Sequence, residues 1–237
     1  PGEHSSGGAN TLRAAAVSVT GGIRADEAEA INRHWLFSLS SERPFVTAKW
    51  AQSLDGRSAA EDSTSQWITG ATSRAHVHRD RSEHGAIMVG TNTALIDNPS
   101  LTARNESGLY EHQPLAVVVG RRPIADDAAV RSHPGGFVQI NSHSPHDVLS
   151  ELYERGIRSV YLEGGSTLVS AFLAAGLVDE IHITMGPMLL GGPHMSVTDI
   201  GVGSVSEAIV LSIDSVEQLD NDLWVVATPT PRHSKES

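Results

Sequence analysis

The chain has 237 residues, a formal net charge of −11, 39% hydrophobic and 5% aromatic residues, and no cysteine. Such a length holds one sizeable domain, and the composition gives it an aliphatic core. The acidic balance argues against a nucleic-acid partner, whose binding rests on Lys and Arg contacts to phosphate, and without cysteine there is no disulfide scaffold, thiolate nucleophile or Cys-ligated zinc.

In chain order, residues 1–40 differ from the rest. The segment 7–16 reads as a short helix, 17–19 as a short strand, and 26–37 as a helix with Ala28, Ile31, Trp35 and Leu36 facing inward. The first eight residues carry neither the basic region nor the apolar stretch of a signal peptide. No apolar run nears the ~20 residues of a membrane helix, so a cytoplasmic protein with no membrane partner is expected. From residue 41, strands and helices alternate. Strands are predicted at 45–49, 86–89, 115–119, 137–140, 160–162, 180–184, 209–213 and 223–227, and helices at 72–82, 145–154 and 167–174. This alternation implies an α/β fold whose sheet is mostly parallel and covered on both faces. The last two strands, with no helix between them, should pair antiparallel. Residues 229–237 read as a disordered polar tail.

Several stretches carry chemistry. From Arg43 to Arg57 an apolar strand brings Lys49 to its end and breaks at Asp55-Gly56, delivering a cation and a carboxylate to the strand ends, where open α/β sheets place their sites. Thr64-Ser-Gln-Trp-Ile-Thr-Gly70 leads into a helix capped by Thr69, along which Arg74 and Arg79 read as a solvated face. The stretch from Gly90 to Arg104 is a hydroxyl-rich turn and helix, then a Pro-broken loop ending in a cation; taken alone, capping by Thr91 or Asn92 and a turn at Asp97-Asn98-Pro99 account for it better than binding does. Glu163-Gly-Gly-Ser-Thr167 opens a helix after a strand. Either its glycines and free N–H groups receive an anion, or it is an ordinary strand–turn–helix junction. Arg121-Arg122, after the strand 115–119, is either a site for an adenosine 2′-phosphate or a solvated turn before Pro123. The histidines are scattered. His76 and His78, two apart on a helix, point to different faces, and no metal site is expected.

Taken in order, Lys49 with Ser53-Leu-Asp-Gly56, Ser65-Gln-Trp-Ile-Thr69, Asp97-Asn-Pro-Ser-Leu-Thr-Ala-Arg104, Glu163-Gly-Gly-Ser-Thr-Leu168, Gly176-Leu-Val-Asp-Glu-Ile181 and Pro187-Met-Leu-Leu-Gly-Gly192 resemble the reductase domain of the bifunctional riboflavin-biosynthesis deaminase–reductase. The resemblance implies a dihydrofolate-reductase-like three-layer α/β/α fold with a mostly parallel central sheet and antiparallel C-terminal strands. It also implies NADPH as cofactor and a phosphoribosyl-pyrimidine substrate, 5-amino-6-(5-phospho-D-ribosylamino)uracil, reduced to the ribitylamino compound. Residues 1–40 then read as a remnant deaminase tail and linker, and 41–228 as the reductase domain. Carried over residue by residue, the resemblance makes Lys49 and Asp55 catalytic. It assigns Ser65, Arg81, Leu101, Arg104 and Glu163 to the substrate, with Ser65, Arg81 and Arg104 clamping its phosphate. Ala51, Trp67, Thr93, Asp97, Arg121, Gly165, Ser166 and Thr167 fall to the cofactor. A deaminase domain fused in the full-length protein is expected, although its Pro-Cys-x-x-Cys signature is absent from this chain. A homodimer is also expected, with 180–184 and the Gly186–Gly192 segment suited to its seam.

On this reading hydride passes from nicotinamide C4 to ribose C1. Lys49 stabilises developing charge or relays a proton, Asp55 orients it, and Glu163 holds ribose hydroxyls. Two other readings stand beside it. A reductase of the same fold acting on a pterin or another phosphosugar adduct is one, and Ser65, Arg81 and Arg104 favour a phosphorylated substrate. A catalytically silent NADPH-binding domain is the other, and the joint presence of Lys49, Asp55 and Glu163 argues against it.

Overall fold

Short aliphatic runs that are buried on both faces form the strands, as a parallel sheet under two helix layers requires. The computed structural model describes residues 7–230; residues 1–6, and the part of the expected tail at 231–237, lie outside the described residues. Three helices come first, α1 (Gly8–Ala14), α2 (Ala25–Ile31) and α3 (Arg33–Ser41). Then follow β1 (Phe45–Ser53), α4 (Ala71–Ser82), β2 (Ala86–Gly90), α5 (Thr91–Asp97), a two-stranded excursion β3 (Arg104–Asn105) and β4 (Gly108–Leu109), β5 (Leu115–Val119) and β6 (Phe137–Ile140). The chain closes with α6 (Pro145–Glu154), β7 (Ser159–Leu162), α7 (Ser166–Ala174), β8 (Glu180–Gly186), β9 (Leu211–Leu219) and β10 (Asp222–Pro229).

The main sheet has the order β6-β5-β2-β7-β1-β8-β10-β9. Its first six strands run parallel, and β10 and β9 are added antiparallel, as expected. One face packs Val46, Ala48, Met88, Val160 and Leu162 against α6 and α7 through Leu149, Leu152, Val169 and Phe172. The other face packs Ile87, Val89 and Val118 against Ala94 of α5, and Tyr161 and Trp224 against Val77 of α4. The result is three layers. A completely buried side chain such as Leu152 or Phe172 contributes about 1.5–3 kcal/mol by leaving water.

Four expectations are corrected. Residues 17–19 form no strand, since no neighbouring strand is there to satisfy their backbone groups. The helix expected at 26–37 breaks at Asn32, whose side-chain amide donates to the Ala28 carbonyl at 2.8 Å. It also turns another face inward: His34 stacks on Phe45 and Phe37 meets the same ring edge-on, while Ile31, Trp35 and Leu36 are exposed. Strand 180–184 is no dimer seam, because β8 lies inside the sheet between β1 and β10. Finally, Thr69 does not cap α4. Asp222 of β10 does so from across the fold, accepting from the Gly70 N–H at 2.7 Å and the Ser73 hydroxyl at 2.6 Å.

One further contact sets the segment before α4 over the strand ends. At Gly186 a Cβ would stand 1.9 Å from the Ile68 carbonyl oxygen, so only glycine lets β8 pass there. Beneath α4, a run of buried polar groups is satisfied internally. Arg33 pairs with Glu180, Glu180 with His182 Nε2 at 2.8 Å, and His182 Nδ1 with Asp80 at 3.1 Å. Burial would lower the His182 pKa, and its two carboxylate partners raise it instead.

Candidate active site

The register that pairs Thr47 with Tyr161 and Ala48 with Leu162 brings Lys49 level with Glu163 at the C-terminal ends of β1 and β7. A cavity of about 400 Å³ opens there. Strand β1 supplies Lys49 and Ala51, the segment before α4 supplies Ser65 and Trp67, and the loop after α5 supplies Leu101 and Arg104. Helix α4 contributes Arg74, His78 and Arg81, spaced four and three residues apart and therefore on one face. A larger hollow of about 700 Å³ lies at the opposite, N-terminal ends of β1 and β8, between Phe37, Phe45, Leu173, Val178 and Ile209. It is mostly apolar, and its carboxylate, Asp179, is already paired with Arg43, so it lacks groups for proton or anion chemistry.

The dominant electrostatic feature is a bidentate pair. Arg81 Nε and Nη2 donate to the Glu163 carboxylate at 2.6 and 2.8 Å, and Arg81 Nη1 donates to the Thr102 carbonyl at 3.1 Å. Burial pushes the Glu163 carboxyl up, but Arg81, with smaller help from Lys49 and His78, brings it down to about 2. Lys49 is half-buried and has no ion-pair partner among the described residues. Burial lowers its pKa, Glu163 opposes that, and Arg81 adds to it. Its proton is therefore held less tightly than on an exposed lysine.

At the cavity mouth Arg104 is exposed, and among the described residues its guanidinium makes only hydroxyl contacts, to Thr102 Oγ1 at 3.1 Å and Ser100 Oγ at 3.4 Å. Trp67 is 65% exposed, with the Arg74 guanidinium 4.1 Å from its ring centroid. Leu101 is buried with φ +56°, a strained left-handed conformation for a leucine that aims the loop into the cavity wall.

A second set of groups lies beside the cavity along the same strand ends. The Gly165 N–H donates to Thr93 Oγ1 at 3.2 Å, tying the turn before α7 to α5. No side chain caps α7, and the N–H groups of Ser166 and Thr167 in its first turn make no hydrogen bond among the described residues. That leaves open donors at the positive end of a helix, a fit for a pyrophosphate. Arg121 is exposed just beyond β5.

Residues 44–225 match the family model described as the RibD C-terminal domain. The chain belongs to that family. It is 44% identical over 219 residues to the riboflavin biosynthesis protein RibD of Mycobacterium tuberculosis, covering 92% of this chain and 64% of that protein. Acinetobacter baumannii RibD superimposes with a TM-score of 0.84 at 29% identity, covering 93% of this chain and 68% of that one. A Thermotoga maritima protein described as a diaminohydroxyphosphoribosylaminopyrimidine deaminase/5-amino-6-(5-phosphoribosylamino)uracil reductase gives a TM-score of 0.79 at 27% identity, covering 94% of this chain and 67% of that one. The chain thus spans about two thirds of the length of these relatives. Its α/β architecture is the dihydrofolate-reductase-like one expected from the motifs.

Within this RibD C-terminal domain, the cavity gathers Lys49, Ala51, Ser65, Trp67, Arg81, Asp97, Leu101, Arg104 and Glu163. Thr93, Gly165, Ser166, Thr167 and Arg121 stand outside its wall. Asp55 is also outside, and no hydrogen bond or ion pair joins it to Lys49 among the described residues. Its carboxylate accepts from Ser53 Oγ at 2.5 Å, the Leu190 N–H at 3.1 Å and the Gly191 N–H at 2.8 Å, bonds that hold its pKa at about 2. Arg81, expected in the phosphate clamp, lines the cavity with its guanidinium engaged by Glu163. Arg74 does not belong to a solvated face, since it lines the cavity. His78 was missed, although its spacing from Arg81 on a helix would have placed both on one side.

Proposed function

We propose that this chain is an NADPH-dependent oxidoreductase of riboflavin biosynthesis, reducing 5-amino-6-(5-phospho-D-ribosylamino)uracil to its ribitylamino product. The observation that carries this reading is the cavity in which Lys49 stands beside the Arg81–Glu163 pair, with Arg104, which has no ion-pair partner among the described residues, at the mouth. Family membership and the activity in the Thermotoga protein's description support it. The open N–H groups of Ser166 and Thr167, with Gly165 and Thr93, would hold the cofactor pyrophosphate. Arg121 would meet the 2′-phosphate, and Ala51, Trp67 and Asp97 would flank the nicotinamide side. When bound, the cofactor would supply a hydride to the ribose C1.

The chain's own residues do the rest. Arg104, helped by the Ser65 hydroxyl, holds the substrate phosphate. Opening of the ribose ring breaks the bond from C1 to the ring oxygen; the proton on the attached nitrogen passes to that oxygen, and C1 is left double-bonded to nitrogen. Hydride adds to C1, and the nitrogen takes a proton to become the amine. Lys49, with its depressed pKa, delivers or relays that proton. The oxygen atoms of Glu163 that remain accessible hold a ribose hydroxyl, while Asp55 fixes the loop at Leu190–Gly191. A homodimer, a cytoplasmic location and a deaminase domain in the full-length protein belong to the same proposal; the exposed edge strand β9 offers a face for the dimer. The test follows NADPH absorbance with purified chain. Oxidation that requires the deaminated pyrimidine phosphate, prefers NADPH over NADH, and loses part of that preference in Arg121→Ala is expected. Oxidation with a pterin instead, or cofactor binding without turnover on any of these substrates, would refute the assignment.

A further inference from the structure

The side chain of His78 has a defined tautomer. Its Nδ1 lies 3.1 Å from the Thr102 carbonyl oxygen, which can only accept, and 3.4 Å from Arg81 Nη1, which can only donate; the shorter contact assigns the hydrogen to Nδ1. Arg81 Nη1 donates to the same carbonyl at 3.1 Å. Burial first, then Arg81 and Arg104, lower the His78 pKa to about 4, so the ring is neutral at physiological pH. Nε2 is then a bare acceptor. It makes no hydrogen bond among the described residues, and it is not one of the polar atoms sealed in the interior without a partner.

The surroundings say what this acceptor would meet. The cations Lys49, Arg74, Arg81 and Arg104 only donate, the Glu163 carboxylate already accepts two bonds from Arg81 and keeps only its remaining lone pairs, and the other acceptors of the wall are Asp97 and the side chains of Ser65, Gln66, Thr69 and Ser100. A neutral acceptor beside the cations Arg81 and Arg104 suits a group that both accepts and donates, which is the property of a hydroxyl. His78 belongs with the groups around Arg104 at the mouth and the Lys49–Glu163 end, since both Arg104 and Glu163 act on its ring.

We propose that Nε2 of His78 accepts a hydrogen bond from a sugar hydroxyl lying between the substrate's phosphate and its reacting carbon, and thereby selects a hydroxylated chain over a deoxygenated one. This rests on the reading of the cavity as the site for a phosphoribosylamino substrate.

The test compares kcat/KM for the ribosyl substrate and its 2′-deoxy and 3′-deoxy analogues in wild type, His78→Leu, His78→Ala and His78→Gln, with NADPH affinity measured for each. Wild type should favour the ribosyl substrate over one analogue by about three- to tenfold, the value of one neutral hydrogen bond. That ratio should fall to near one in His78→Leu and in His78→Ala, which removes the acceptor without adding bulk. His78→Gln, whose amide oxygen can accept, should recover most of it, and NADPH affinity should stay the same throughout. Normal wild-type turnover with the same ratio in wild type and His78→Ala would overturn this inference alone. Failure of wild type to oxidise NADPH with the ribosyl substrate would overturn the underlying reading, and this inference with it.

Discussion

Replacing Glu163 by glutamine tests the electrostatic centre of the cavity most directly. The two side chains of the pair are 15% and 13% exposed, so solvent screens them little. Glu163 titrates near 2 in the fold against an ordinary value of 4.5. A folded pKa below the unfolded one means that the stabilisation is present above about pH 4.5 and is lost as the pH falls through 2. At 1.36 kcal/mol per pKa unit, the carboxylate contributes about 3 kcal/mol at neutral pH, of which about 2 kcal/mol is gone by pH 3. Glutamine keeps the shape and an acceptor oxygen but does not titrate. The stability advantage of wild type over Glu163→Gln should therefore shrink by about 2 kcal/mol between pH 6 and pH 3, read from urea unfolding at fixed ionic strength. Asp55 and Glu180, also held near 2, titrate in both proteins and cancel in the difference. Stability curves that stay parallel across this range would refute the assignment of the low pKa to the Arg81 pair.

Lys49→Met should lower kcat by about 10²–10⁴-fold, the usual scale of a lost proton-transfer group, with NADPH affinity held; an unchanged single-turnover rate would remove Lys49 from the chemistry. Arg104→Ala should raise KM for the phosphorylated substrate about tenfold and shrink discrimination against a dephosphorylated analogue equally. Loss of NADPH binding with substrate selectivity intact would instead place Arg104 in the cofactor site. Gly186→Ala forces a Cβ into the Ile68 carbonyl and should cost about 1–3 kcal/mol as overpacking, visible as a lower melting temperature. An unchanged melt would show that the segment carrying Trp67 is not pinned there.

Much of the fold was legible in the chain because its signals are local. The aliphatic runs at β5 and β6 and the apolar periodicity of α6 set these elements to the residue, and the missing helix between β9 and β10 announced their antiparallel pairing. The motif residues of the cavity were legible in the same way, as short stretches at strand ends. What escaped the sequence depended on partners distant along the chain. Strand β1 extends to Ser53 because β8 pairs with it from Thr47 onward. Glu163 claims Arg81 from 82 residues away, Asp222 caps α4 from β10, and Asp55 is taken by a loop 135 residues further on. The same holds for α3, whose inward face is chosen by Phe45 and not by its own most apolar side. Strand order and register alone bring such groups together. Propensity and periodicity act over a few residues, whereas the charge state of Glu163, the freedom of Arg104 and the tautomer of His78 are set only once the sheet has closed around them.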